Sequence, residues 1–136
     1  MVSIEENKAL VRRYFDAWNG ADIPLEEILA PNVRDPMAYE GQSAGIDGYR
    51  EFFAVWRAAF PDLHSTIEEM IAEGDLVATR WSATGTHLGP YHEHPPTGRR
   101  FSFMAVSFAR VAGGKIVEDW YFNDHLALYR QLGIET

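Results

Sequence analysis

No cysteine occurs anywhere in the sequence. That excludes disulfides, thiol nucleophiles and thiolate metal sites, and a cytoplasmic location is the expectation that goes with it. Positive charge is also scarce: 12 Lys and Arg stand against 20 Asp and Glu, a net charge of −8. Nucleic acid and anionic membrane surfaces demand clustered Lys and Arg, so neither is expected as a partner. Long apolar runs are missing too, none approaching the roughly 20 residues that span a bilayer. The acidic start MVSIEENK is not expected to act as a signal peptide. No glycine-rich phosphate loop follows a strand, so no nucleotide or flavin cofactor is expected. Internal repeats, low-complexity stretches and linkers are absent, and a single domain over 1–136 is expected.

What the chain has is apolar and aromatic: 46% hydrophobic and 13% aromatic residues, ample for a packed core. Its most ordered pattern is a hairpin over 101–123. FSFMAVSFARV and IVEDWYFN alternate on either side of AGGK, and successive strand residues point to opposite faces. Gly113-Gly114 supplies the positive φ angles of a tight turn. One face then holds Ile116, Glu118, Trp120 and Phe122, the other Val117, Asp119, Tyr121 and Asn123. A central turn brings Phe103, Ala105 and Ser107 onto the face of Asp119 and Tyr121. Carboxylate, phenol, amide and hydroxyl among aromatic rings suit a pocket wall.

Upstream, Ser3 and Glu6 form a capping-box pattern, followed by Leu10, Val11, Tyr14, Phe15 and Trp18 at helical spacing. A short second helix is expected after Asp22 with Pro31 as its stop, then a strand over 33–39. A third helix from Asp47 carries Tyr49, Phe52, Phe53, Trp56 and Phe60 on its apolar side. Strands over 63–72 and 76–87 flank Glu73-Gly74-Asp75. The proline-rich 88–99 is a loop, and 126–132 a terminal helical turn or tail. Helices first and strands afterwards predict an α+β fold with helices on one face of an antiparallel sheet.

These elements carry the sequences LVRRYFDAWNGAD, PNVRDPMAYEGQSAGIDGYREFF, FPDLHSTIEEMIAEGDLVATRWSATGTHLG, PPTGRRFSF and GGKIVEDW. Together they resemble the SnoaL-like branch of the nuclear-transport-factor-like superfamily, which includes ketosteroid isomerase, polyketide cyclases, scytalone dehydratase and limonene epoxide hydrolase. The resemblance implies a cone: a strongly bent sheet around a hydrophobic pocket that helices help to close. It also implies a homodimer and cofactor-independent acid/base chemistry, aldol-type cyclisation or isomerisation, on a small hydrophobic carbonyl compound. Tyr14 matches the position of the oxyanion-stabilising tyrosine of ketosteroid isomerase, and Asp35 that of its proton-transferring aspartate. Ser107 stands where that enzyme has its second oxyanion donor, a departure that speaks against steroid isomerisation. Asp119 matches the acid/base aspartate of SnoaL-type cyclases. Their partner histidine would fall near Ala105, which has no acid/base chemistry; His87, at the end of the adjoining strand, is the substitute if it reaches the pocket.

Asp119, Asp35 and Tyr14 are therefore the catalytic candidates. Trp18, Phe53, Trp56, Trp81, His87, Phe103, Ser107, Tyr121 and Asn123 are the substrate-binding ones. A carboxylate takes and returns a proton beside a carbonyl while neutral donors hold the enolate oxygen. A hydratase or epoxide hydrolase in the same pocket, or a binding domain without turnover, are the alternative readings. His92 and His94, with His87 upstream, are the candidate metal ligands; no carboxylate or histidine recurs at a recognised ligand spacing, so no metal is expected.

Overall fold

The computed structural model describes residues 3–135. Helix α1 (Ile4–Trp18) starts where expected, the Ser3 hydroxyl accepting from the Glu6 amide at 3.1 Å. It buries Val11, Phe15 and Trp18. The expected second helix shrinks to one 3₁₀ turn, Leu25–Glu27. The first strand, β1 (Leu29–Arg34), begins before Pro31 rather than after it. It lies at the edge of the sheet, and an edge strand tolerates a residue without an N–H. Helix α2 (Gly45–Ala59) follows, then β2 (His64–Glu73), β3 (Leu76–Thr86), β4 (Arg100–Ala112) and β5 (Lys115–Asn123). The C-terminal tail proves to be a true helix, α3 (His125–Leu132), capped by Asp124 at its start and by Gly133 in the left-handed conformation at its end.

The fold is an α+β cone. The sheet runs β1-β5-β4-β3-β2. Four strands form the expected antiparallel meander, while β1 joins β5 in parallel, so the whole is mixed rather than purely antiparallel. The β4–β5 turn sits at Gly113-Gly114, with φ of 59° and 75°. Burial on β4 alternates without a break, placing Phe101, Phe103, Ala105, Ser107 and Ala109 inside.

On β5 the simple alternation fails at one point. Arg110 pairs with Glu118 but Val111 with Ile116, leaving Val117 as an extra, bulged residue. Ile116 is thereby turned inward with Asp119, against the expectation that it shares the outer face with Trp120 and Phe122. A second irregularity in β2, between Ile67 and Glu69, bends the opposite side of the sheet. The curved sheet presents its concave face to α1 and α2. Arg57 of α2 ties these parts together by donating to the carbonyls of Trp18 and Leu63. No helix among the described residues is long and apolar enough to cross a membrane.

Segment 35–44 passes tightly over the start of α2. A Cβ on Gly48 would lie 2.0 Å from the Ser43 carbonyl oxygen and 3.1 Å from its carbon, a clash with backbone. Alanine inside a helix normally gains about 1 kcal/mol over glycine. Here the clash outweighs that gain, so Gly48→Ala is expected to lower the melting temperature, as read by calorimetry.

Candidate active site

Ala109, Ser107 and Ala105 on β4 face Asp119, Tyr121 and Asn123 on β5. The two alanines leave space above the sheet that α1 and α2 roof with aromatic rings. The result is a narrow cavity of about 30 Å³. Tyr14 and Trp18 come from α1 and Trp56 from α2, while Trp81 comes from β3. Ser107, Asp119, Tyr121 and Asn123 complete the polar side. Phe15 and Phe52 also line it; they are legible as apolar helix positions, but helical spacing alone does not separate roof from core. Among the described residues no lysine or arginine lines the cavity.

Three of the candidate lining residues lie elsewhere. Phe53 points between the helices and packs edge-on against Tyr14 and Trp18. Phe103 sits one layer deeper, stacked on Phe101 and against Trp56 and Trp81. His87 is wholly buried behind the cavity, its Nδ1 on Thr97 and its ring against Phe60. It fastens the 88–99 loop, whose Gly98 amide bonds to the His87 carbonyl, and does not stand in for the histidine missing at Ala105.

Asp119 is 6% exposed. Burial is the main force pushing its carboxyl up, the charge of Asp35 adds to it, and hydrogen bonds from Tyr49 and Tyr14 oppose it, leaving the group at about 8. Desolvation outweighs two phenols because neutral donors return only part of the hydration a carboxylate loses. The charged form is thereby disfavoured by on the order of 5 kcal/mol. Tyr49 Oη donates to Asp119 Oδ2 at 3.5 Å. Helical spacing puts Tyr49 on the apolar face of α2 without a role; a tyrosine buried to 2% exposure needs a partner for its hydroxyl, and Asp119 is that partner. Burial and the nearby carboxylates also hold the hydroxyls of Tyr14, Tyr49 and Tyr121 protonated, well above their ordinary range. Ser107 Oγ accepts from the Trp81 indole at 2.8 Å, which leaves the serine proton free to donate.

Asp35 does not converge with Asp119 in this cavity. It lies in the segment after β1, beside an open outer cleft. Its Oδ1 accepts from the Met37 amide at 3.0 Å and its Oδ2 from Gln42 Nε2 at 2.9 Å, the turn-organising bonds an aspartate before proline favours. It acts on the cavity through space, by its charge. Among the described residues no group of three or more His, Asp or Glu is arranged to hold a metal ion, and His92 and His94 stand in the 88–99 loop.

The family model of the SnoaL-like polyketide cyclases matches residues 8–132. The chain is 33% identical over 130 residues to the aklanonic acid methyl ester cyclase DnrD of Streptomyces peucetius, covering 91% of this chain and 88% of that one. It is 30% identical over 112 residues to the nogalonic acid methyl ester cyclase of Streptomyces nogalater, covering 80% and 83%. Among solved structures, TsrD from Streptomyces laurentii superposes with a TM-score of 0.89 at 29% identity, over 99% of this chain and 100% of that one.

Burying Asp119 also makes stability depend on pH. The unfolded chain releases this proton in the ordinary carboxylate range near 3.8, the folded chain near 8. Between those values the folded state holds the extra proton, so its stability falls as pH rises and levels off above the folded value. Asp119→Asn removes the titration and keeps the shape. The variant is expected to melt higher than wild type by a margin that widens from pH 5 to pH 8, measured by thermal scans at several pH values.

Proposed function

The chain belongs to the SnoaL-like polyketide cyclase family, and on that footing we propose that it is a cofactor-independent enzyme closing a ring in a small polyketide-like carbonyl compound. The observation that carries this is a carboxyl group sealed among aromatic rings, with hydroxyl and amide donors around it and no lysine or arginine among the described wall residues. Such a wall favours a neutral substrate, an ester over a free acid, since a second carboxylate beside Asp119 would stand uncompensated. The relatives carry methyl ester cyclase in their names.

In this reading Asp119 as carboxylate removes a proton from carbon next to a carbonyl. The enolate carbon attacks a ketone within the same molecule, forming one C–C bond. Asp119, now the acid, returns the proton to the new alkoxide. Atoms balance without water, metal or redox partner. A carboxyl group near 8 suits both halves, because its two protonation states are close in energy at the working pH. Tyr14 and the free Ser107 proton are donors for developing negative charge, while Tyr49 spends its proton on Asp119. Trp18, Trp56, Trp81 and Tyr121 supply flat apolar walls for fused rings. Asp35 tunes the base from outside the cavity.

Assembly as a homodimer is part of the same proposal. On the outer face of β4 and β5 Phe108 pairs with Trp120 and Val106 with Phe122, yet Phe108, Trp120 and Phe122 stay 38, 37 and 50% exposed, beside Met104. A solvated sheet face rarely carries so continuous an apolar patch, and a second copy of the same patch would cover it.

With an enolisable fused-ring ester as substrate, Asp119→Asn is expected to lower kcat by roughly 100- to 10,000-fold while circular dichroism stays unchanged. Turnover at the wild-type rate would remove Asp119 from the mechanism. The pH profile of kcat/KM should rise through a limb near 8, where Asp119 becomes the carboxylate. Asp35→Asn deletes a charge that raises this value, so its limb should move to lower pH; an unmoved limb would end the tuning role. For assembly, sedimentation at micromolar concentration is expected to give twice the 15.4 kDa chain mass, and Phe122→Lys to give the monomer.

A further inference from the structure

Asn123 ends β5 on the cavity side, opposite Ala105. The two polar atoms of its side chain meet different surroundings. Oδ1 lies 2.9 Å from Nδ1 of His125, the first residue of α3. Nδ2 is buried and has no hydrogen-bond partner among the described residues. An amide N–H removed from water with nothing to bond costs on the order of 1–3 kcal/mol. Stranded at the wall of a cavity, such a donor is placed for an acceptor that arrives with the ligand.

We propose that Asn123 Nδ2 donates to the substrate oxygen that becomes negatively charged beside Asp119, and that His125 is the positioning residue that fixes the amide this way round. The proposal rests on the enolate reading above and adds to it a donor and the group that aims it. A protonated Nδ1 of His125 donates to Oδ1, and an amide so anchored can present only its NH₂ group inward. Turned over, it would face its own N–H groups to the histidine N–H. The imidazole is itself held. Asp124 Oδ1 caps α3 by accepting from the Ala127 amide at 3.0 Å, which sets where His125 leaves the helix. The ring packs on Tyr129 with centroids 5.3 Å apart, and Tyr129 packs in turn on His94 and Tyr91 of the 88–99 loop. The amide is thus aimed from outside the cavity by groups that never touch the substrate.

2-Naphthol is the probe, since its phenolate is a flat, fused-ring oxyanion. It is titrated into wild type, Asn123→Leu, His125→Phe and His125→Gln, and the ¹⁵N–¹H side-chain amide signals are followed, Asn123 being assigned by its loss in Asn123→Leu. In wild type the Asn123 amide protons should move downfield on binding. Asn123→Leu should bind about 10- to 100-fold more weakly, the worth of one hydrogen bond to a charged oxygen. His125→Phe keeps the ring packing and loses the donor; it should weaken binding severalfold in wild type and not at all in an Asn123→Leu background. His125→Gln, which retains a donor, should recover part of the loss. In turnover, both substitutions should lower kcat with KM changed less than about threefold. Naphthol that fails to bind, or binds without moving the Asn123 protons, overturns the proposal, as does an equal effect of His125→Phe in both backgrounds. The titration needs no turnover, so an absent cyclisation activity would sink the enolate reading while the amide donor is judged on its own.

Discussion

One unfavourable burial organises this molecule: a carboxylic acid enclosed where its charged form is poorly tolerated. The small residues opposite it on β4, the phenols of α1 and α2 that meet its oxygens, and the tryptophans that exclude water all bear on that group. Each lowers the cost of keeping it inside or raises its readiness to give and take a proton. The fold is stable around it because the remaining inner face is apolar: Phe60, Phe101, Phe103 and Val77 form a core that does not depend on the polar residues above it.

The hairpin is readable from sequence almost residue by residue, because alternation and a glycine pair are local signals. Alternation alone therefore sets Asp119, Ser107, Tyr121 and Asn123 on one face. Helical spacing likewise finds the apolar faces of α1 and α2, from which the roof is drawn. What such local signals miss is everything fixed by packing between distant segments. The bulge at Val117 leaves no trace in the alternation, so a regular strand would turn Ile116 outward. The choice between Phe52 and Phe53 depends on the rotation of α2 over the sheet. Tyr49 gains its partner only because α2 lies above β5, 70 residues further on. Asp35 stands beside a cavity it does not enter; its residue type suggests chemistry, and its neighbours Met37 and Gln42 absorb its oxygens.

Absent groups shape the chemistry as much as present ones. Alanine at position 105 brings no acid/base group to the inner face of β4. A carboxyl held near 8 then stands without a second carboxyl or imidazole among the described wall residues. The phenols around it are held neutral by the same burial.

The bulge in β5 has a bearing on how this sequence can change. On a strand every inserted or deleted residue inverts the sides of all that follow. Ile116 and Asp119 are an odd number of positions apart yet share a face, because Val117 lies outside the pairing. Val117 is therefore the spare in the count: its loss would straighten the strand but keep Asp119, Tyr121 and Asn123 inside. Removal of a residue from 119 to 122, with the bulge kept at Val117, would disturb that parity, sending polar groups beyond it outward and the apolar outer patch inward. Length variation within this strand is thus permitted at the bulge, at 117 or 118, and further along exchanges its two surfaces.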